Sequence, residues 1–88
     1  MGADRLWSRR LGEKLLRIRE ALGLSQSEML RRLGFENDLP YNRISDYELG
    51  KLEPPYLLVL QYAPAVNVST DLLIDDELDL PAKLPAKR

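Results

Sequence analysis

Two residue types are missing from this 88-residue chain, cysteine and histidine. Without cysteine the chain has no disulfide, no thiolate metal ligand and no thiol nucleophile. Without histidine it lacks the commonest general base and the commonest metal ligand. Most catalytic chemistry is thereby excluded. We expect a protein that is not an enzyme, with no catalytic residues, no metal site and no cofactor.

Long apolar runs are missing as well. No stretch approaches the roughly 20 residues that cross a bilayer, and the opening MGADRLWSRR lacks the apolar stretch of a signal peptide. We therefore expect a cytoplasmic protein that makes no membrane contact. A chain of this length forms one small domain with a modest core, so association of two copies would add to its stability.

The charge is small overall and uneven along the chain. The net charge is −1, but residues 1–51 carry 10 Lys and Arg against 8 Asp and Glu, whereas residues 52–88 carry 3 against 6. The first part is therefore the better candidate for binding an anion. Its basic excess is smaller than that of a typical nucleic-acid-binding domain.

The first third of the chain predicts two helices. Residues 8–22 are expected to form the first, ended by Gly23, because apolar residues recur every three or four positions at Leu11, Leu15, Ile18 and Leu22. The motif SQSE at residues 25–28 is a capping box that begins the second helix, which Gly34 ends. The second helix is short and must be held by packing.

A third helix is predicted over Pro40–Leu49, after the polar turn FENDLP, in which Asn37 or Asp38 would serve as the N-cap. If Ile44 and Tyr47 are buried, helical spacing turns a polar set outward. The predicted outward face consists of Tyr41, Asn42, Arg43, Ser45 and Asp46.

The remaining sequence predicts two further helices and a tail. A fourth helix, apolar nearly all round, begins near Pro55 and is kinked or ended by Pro64. A fifth runs from Thr70 to about Ile74, after Asn67, which can adopt a left-handed conformation. The domain would then span residues 1–74, followed by an acidic and then Pro/Ala/Lys tail at residues 75–88, extended or disordered.

The order of these motifs resembles a known family. LLRIREALGLSQSEMLRRLG, then RISDYELGK, then AVNVSTDLL, resembles the Cro and phage-repressor (Cro/C1) type of helix-turn-helix, also called the xenobiotic-response-element (XRE) family, over residues 11–74. The resemblance implies an all-α, five-helix bundle of the lambda-repressor-like DNA-binding type. It also implies a homodimeric transcriptional regulator that binds double-stranded DNA sequence-specifically, with the third helix in the major groove.

The resemblance also implies roles for individual residues. Gln26 would bind a phosphate, positions Tyr41, Asn42 and Asp46 would face base edges, and Arg19 and Glu48 would form an ion pair between the first and third helices. Side-chain chemistry agrees, since asparagine pairs with adenine, arginine with guanine, and aspartate accepts from cytosine. The predicted DNA-binding set is Gln26, Arg31, Tyr41, Asn42, Arg43, Ser45, Asp46 and Lys51.

The chain departs from the family pattern around the turn between the second and third helices. Nine residues separate Gly34 from Ile44, where the usual pattern has five. This enlarged turn is expected to lengthen the third helix or lift its start. Leu30 stands where the family usually has alanine, which predicts a wider helix crossing, and Glu36 and Asp38 add negative charge where a phosphate backbone would run.

Two other interpretations remain open at this point. The outward face of the third helix is also typical of an ordinary solvated surface. The chain is also compatible with a protein-binding module of antitoxin or adaptor type, which would bind its partner through the fourth helix and the acidic tail.

Overall fold

Five helices follow one another along residues 8–84, the part of the chain that the computed structural model describes. They are α1 (Leu11–Leu22), α2 (Gln26–Leu33), α3 (Asn42–Glu48), α4 (Tyr56–Ala65) and α5 (Asp71–Ile74). No strand occurs in this range, so the predicted all-α class and the five helices are confirmed. Residues 1–7 and 85–88, the outer ends of the predicted domain and tail, lie outside the described residues. Within 8–84, no helix is both long and apolar enough to cross a membrane.

The ends of α1 and α2 follow the local signals in the sequence. Gly23 and Gly34 adopt left-handed conformations, with φ of 69° and 86°, which stop each helix at low steric cost. At the start of α2 the Ser25 hydroxyl accepts from the Glu28 amide at 3.1 Å, and the Glu28 carboxylate accepts from the Ser25 amide at 2.8 Å. The predicted capping box is therefore confirmed.

The start of α1 is a correction to the prediction. The helix begins at Leu11 and not at Ser8. The amides of Arg9 and Arg10 donate instead to the side chain of Asp76, at 2.9 and 3.1 Å. A residue more than 60 positions away thus binds the backbone just before α1, which local sequence cannot reveal.

One core joins the five helices. Its buried apolar residues are Leu11, Leu15, Ile18, Leu22, Met29, Leu30, Leu33, Ile44, Tyr47, Leu58, Val59, Tyr62, Ala63, Val66, Leu73 and Leu80. α1 packs against α3 and α5, while α2 packs against α3 and α4. Gly12 permits the contact of α1 with α3, because a Cβ at this position would lie 2.6 Å from the Glu48 carbonyl oxygen.

The enlarged turn does not lengthen α3. The amides of Asp38 and Leu39 both donate to the Phe35 carbonyl, at 2.9 and 3.0 Å, and the side chains of Phe35 and Leu39 pack against the core. These anchors keep the turn separate from the helix. α3 therefore has only seven residues and starts at Asn42, and its N-cap position is Tyr41 without a side-chain cap. The predictions of a start at Pro40 and of a cap by Asn37 or Asp38 were wrong.

The segment after α5 lies against α1. Residues 75–84 contain no helix, and Leu80 is buried in the core. The Arg10 guanidinium donates to the Asp76 carbonyl at 2.9 Å and to the Asp79 carboxylate at 2.6 Å. Arg17 donates to the Pro81 carbonyl at 2.8 Å. The described part of the predicted tail thus packs against the domain, and its backbone turns at residues 75–78, where the Leu78 amide donates to the Asp75 carbonyl at 3.0 Å.

A buried lysine joins α1 to the end of α5. Lys14 is only 2% exposed, and its ammonium donates to the carbonyl oxygens of Leu72, Asp75 and Leu78 at 2.7, 3.0 and 2.8 Å. A lysine has three donors, and here all three are used. Burial lowers the pKa of Lys14, since desolvation disfavours the charged amine.

Candidate nucleic-acid interface

The outward face of α3 carries the polar residues that the sequence singled out. Ile44 is fully buried and Tyr47 nearly so. Their side chains form the inner face of α3, which packs into the core opposite the outward face. Tyr41 and Asn42 are exposed. Arg43, Ser45 and Asp46 are partly exposed. The five predicted residues therefore keep solvent contact along one short helix and the residue before it.

Arg43 and Asp46 lie one turn apart on this face. The Arg43 guanidinium is 3.8 Å from the Asp46 carboxylate, a distance at which the two charges attract but are not tightly hydrogen-bonded. After α3 the chain turns at Gly50, with φ of 76°, and the Lys51 amide donates to the Asp46 carbonyl at 2.9 Å. This turn keeps the exposed Lys51 next to the last turn of α3.

Three polar side chains fix α3 relative to α1 and α2. Arg19 donates twice to the Glu48 carboxylate, at 2.7 and 3.0 Å, and once to the Leu24 carbonyl at 3.0 Å. The Gln26 amide donates to the same carboxylate at 3.4 Å. The Arg19 side chain is 17% exposed and that of Glu48 only 5%. Hydrogen bonding to Glu48 raises the pKa of Arg19, which therefore stays charged.

Gln26 consequently has a structural contact in addition to its predicted phosphate role. It lies at the start of α2 and is partly exposed. Its bond to Glu48 at 3.4 Å is long, and such a bond is easily exchanged for a stronger one. Gln26 thus stands at the place where the start of α2 meets the end of α3.

Arg31 lies in the last turn of α2, exposed to solvent. Its guanidinium is 3.5 Å from the carboxylate of Glu36, the second residue of the enlarged turn. Glu36 therefore occupies the Nε side of the Arg31 guanidinium, and an external anion that binds this side must displace it. The negative charge that the sequence predicted for the turn is thus placed, through Glu36, next to the guanidinium of Arg31.

Leu49 was missed by the sequence reasoning. It is 66% exposed and follows α3 at helical spacing from Asn42 and Ser45, so it extends the outward face. That spacing was available in the sequence. Its apolar character favoured a buried position, whereas the structure leaves it in solvent. An exposed leucine in such a row can contact a thymine methyl group, as apolar side chains do in the major groove.

Comparisons of the chain with protein-family profiles, with curated proteins and with solved structures found no match. In the described residues, no cluster of acidic side chains has the arrangement of a metal site.

The arrangement suits recognition of a polar surface. A short helix presents amide, guanidinium, hydroxyl and carboxylate groups, and an ion pair with low exposure holds that helix in place. Lys51 and Arg31 provide cations at its margins. Rigid support of a small set of hydrogen-bonding groups is what selective recognition requires.

Proposed function

We propose that this chain is a sequence-specific, double-stranded DNA-binding transcriptional regulator of the lambda-repressor-like type, in which α3 reads the major groove. The observation that carries the proposal is the exposure of Tyr41, Asn42 and their neighbours on α3 while Ile44 and Tyr47 are buried. A polar face kept out of the core, on a helix fixed by an ion pair, is available to base edges.

The resemblance in sequence supports the same function. Residues 11–74 carry its motifs, and α2, the turn and α3 follow in the order that a helix-turn-helix requires. In this proposal Asn42, Arg43 and Asp46 contact base edges, with Tyr41 and Ser45 beside them. Gln26, Arg31 and Lys51 contact phosphates, which fix the position of the protein on the duplex.

The proposed regulator acts as a homodimer whose copies meet through α4 and α5. Tyr56, Leu57 and Leu60 are exposed on α4, Tyr56 at 79%. Tyr56 and the exposed Ile74 line one cavity of about 170 Å³, so the apolar surface continues from α4 to α5. Two copies related by a two-fold axis would place two α3 helices in successive major grooves, about 34 Å apart.

The test is selection of bound sequences from a random pool of duplex DNA, followed by affinity measurements on variants. We expect a two-fold symmetric pair of half-sites. Asn42→Ala and Arg43→Ala should each weaken binding to the selected sequence by roughly 5-fold to 100-fold, and binding to an arbitrary duplex far less. Gln26→Ala should weaken both. Equal losses on the two duplexes for the α3 variants would contradict base reading.

A protein-binding module remains the second candidate, and the exposed apolar surface of α4 favours it. The acidic tail, the other element proposed for that function, receives less support, because Asp76 and Asp79 already bind Arg9 and Arg10, just before α1. The salt dependence of binding distinguishes the two functions. Phosphate-driven binding falls steeply as salt rises, whereas binding of a protein through apolar α4 does not.

A further inference from the structure

Three of the side chains assigned to DNA contact each lie beside a carboxylate of the same chain. The pairs are Gln26 with Glu48 at 3.4 Å, Arg31 with Glu36 at 3.5 Å, and Arg43 with Asp46 at 3.8 Å. Glu48 also binds Arg19, and Asp46 belongs to the outward face itself. Glu36 has neither role. It comes from the enlarged turn, and its side chain is 50% exposed.

The enlarged turn holds Glu36 at a defined place. Gly34 ends α2 in a left-handed conformation, and the next amide, that of Phe35, donates to the Leu30 carbonyl at 3.1 Å. The Phe35 side chain packs against the core. Glu36 is the following residue. Its carboxylate therefore reaches Arg31 from an anchored backbone and not from the tip of a long loop.

We propose that Glu36 is a specificity-determining residue, because it withholds Arg31 from duplexes that α3 does not fit. This inference rests on the proposed DNA-binding function. A carboxylate beside a guanidinium competes with a phosphate for the same donors, since both are anions that accept arginine hydrogen bonds. A phosphate that binds the Nε side of the Arg31 guanidinium must therefore displace Glu36, and a phosphate on the other donors still meets the Glu36 charge nearby.

The competition acts differently on the two kinds of complex. An exposed Arg–Glu pair is weak. In the complex with the selected sequence, where α3 fits the major groove and holds a phosphate firmly against Arg31, the phosphate therefore displaces Glu36. A duplex held only by loose charge attraction gains less from Arg31 and also meets the repulsion of the Glu36 carboxylate. Specificity arises in this way from a repulsive element directed against wrong partners.

A matched pair of variants tests the inference. Glu36→Gln and Asp38→Asn each remove one negative charge from the same turn, but only Glu36 forms an ion pair with Arg31. Binding of the full chain to the selected duplex and to an arbitrary duplex is measured by fluorescence anisotropy over a range of salt. Arg31→Ala, alone and combined with Glu36→Gln, completes the set.

Glu36→Gln should bind the arbitrary duplex roughly twofold to fivefold more tightly, with a salt dependence steeper by about 0.9 in the logarithmic slope. Its affinity for the selected duplex should change by less than about twofold, since Arg31 already contacts phosphate there. Asp38→Asn should have a smaller effect, similar on both duplexes. In the Arg31→Ala background the specific effect of Glu36→Gln should disappear.

The inference is overturned if Asp38→Asn reproduces Glu36→Gln, if Glu36→Gln tightens both duplexes equally, or if its effect persists without Arg31. Each of these results leaves the proposed function intact as long as the wild-type chain binds duplex DNA in a salt-dependent way. Duplex binding by the wild type that does not weaken with salt overturns the proposed function and this inference with it.

Discussion

The ion pair between Arg19 and Glu48 predicts an unequal response to the loss of either partner. Glu48 is the more deeply buried of the two, at 5% side-chain exposure against 17% for Arg19. If Arg19 is replaced by methionine, the Glu48 carboxylate keeps one long hydrogen bond, from Gln26 at 3.4 Å. A buried charge left in this way costs about 3–5 kcal/mol of folding free energy.

The reverse replacement should cost less. In Glu48→Gln a neutral oxygen still accepts from Arg19, and the guanidinium keeps its bond to the Leu24 carbonyl at 3.0 Å. Its greater exposure also lets water reach the remaining donors. We expect a loss of about 1–2 kcal/mol, the worth of exchanging a charged hydrogen bond for a weaker one.

Urea unfolding followed by circular dichroism measures both values. A chain of this length has a total stability of about 4–13 kcal/mol, and the free energy falls by about 1 kcal/mol per molar urea. Arg19→Met should thus lower the unfolding midpoint by roughly 3–5 M, and Glu48→Gln by roughly 1–2 M. The double variant Arg19→Met with Glu48→Leu should recover most of the loss, because no charge is stranded.

Two results would refute this reasoning. If Glu48→Gln costs more than Arg19→Met, burial of the carboxylate does not decide the penalty. If both variants cost less than about 1 kcal/mol, the pair behaves as a surface salt bridge, and the orientation of α3 must be fixed by apolar packing alone.

The other predictions concern Lys14, Gly12 and Leu60. Lys14→Met should destabilise the fold by roughly 2–4 kcal/mol, because three carbonyls lose their donor, and amide exchange should quicken over residues 72–80. Burial lowers the pKa of Lys14 below 10.5, so the unfolded chain binds more protons than the folded chain just below this pH. In that pH range the free energy of unfolding should therefore rise with pH more in the wild type than in Lys14→Met. An equal slope in both proteins would contradict the lowered pKa. Gly12→Ala should cost about 1–3 kcal/mol in chemical unfolding, because its Cβ would meet the Glu48 carbonyl oxygen at 2.6 Å. A loss below about 0.5 kcal/mol would argue against the close contact. Leu60→Asp should leave the melting of the monomer nearly unchanged, as the side chain is exposed, but should abolish dimerisation in sedimentation; a persistent dimer would exclude α4 from the interface.

Features set by neighbouring residues could be predicted from the sequence. The ends of α1 and α2 depend on Gly23, Gly34 and the capping box at Ser25, all of which act within one helical turn. Asn67 adopts φ of 57° for the same kind of local reason. The outward face of α3 followed from the spacing of two apolar residues.

Features set by distant residues could not be predicted in this way. Asn37 and Asp38 have side chains typical of N-caps. Phe35 and Leu39 nevertheless pack the turn against the core, so that α3 starts only at Asn42. Lys14 stood on the buried stripe, three residues after Leu11 and four before Ile18, so its position was visible in the spacing. Its charge favoured solvent, and only the carbonyls beyond α5 make burial acceptable.

The clasp of Lys14 on the carbonyls of Leu72, Asp75 and Leu78 has a consequence for synthesis on the ribosome. The partners of this amine are 58 to 64 positions downstream, so the first helix emerges long before the groups that neutralise the cost of burying its lysine. Until residue 78 has left the exit tunnel, the Lys14 ammonium lacks its full set of carbonyl acceptors and stays in water. α1 cannot pack fully against the core before then. The nascent chain therefore completes its fold late, and a stop codon placed before Leu78 should yield a product that is degraded.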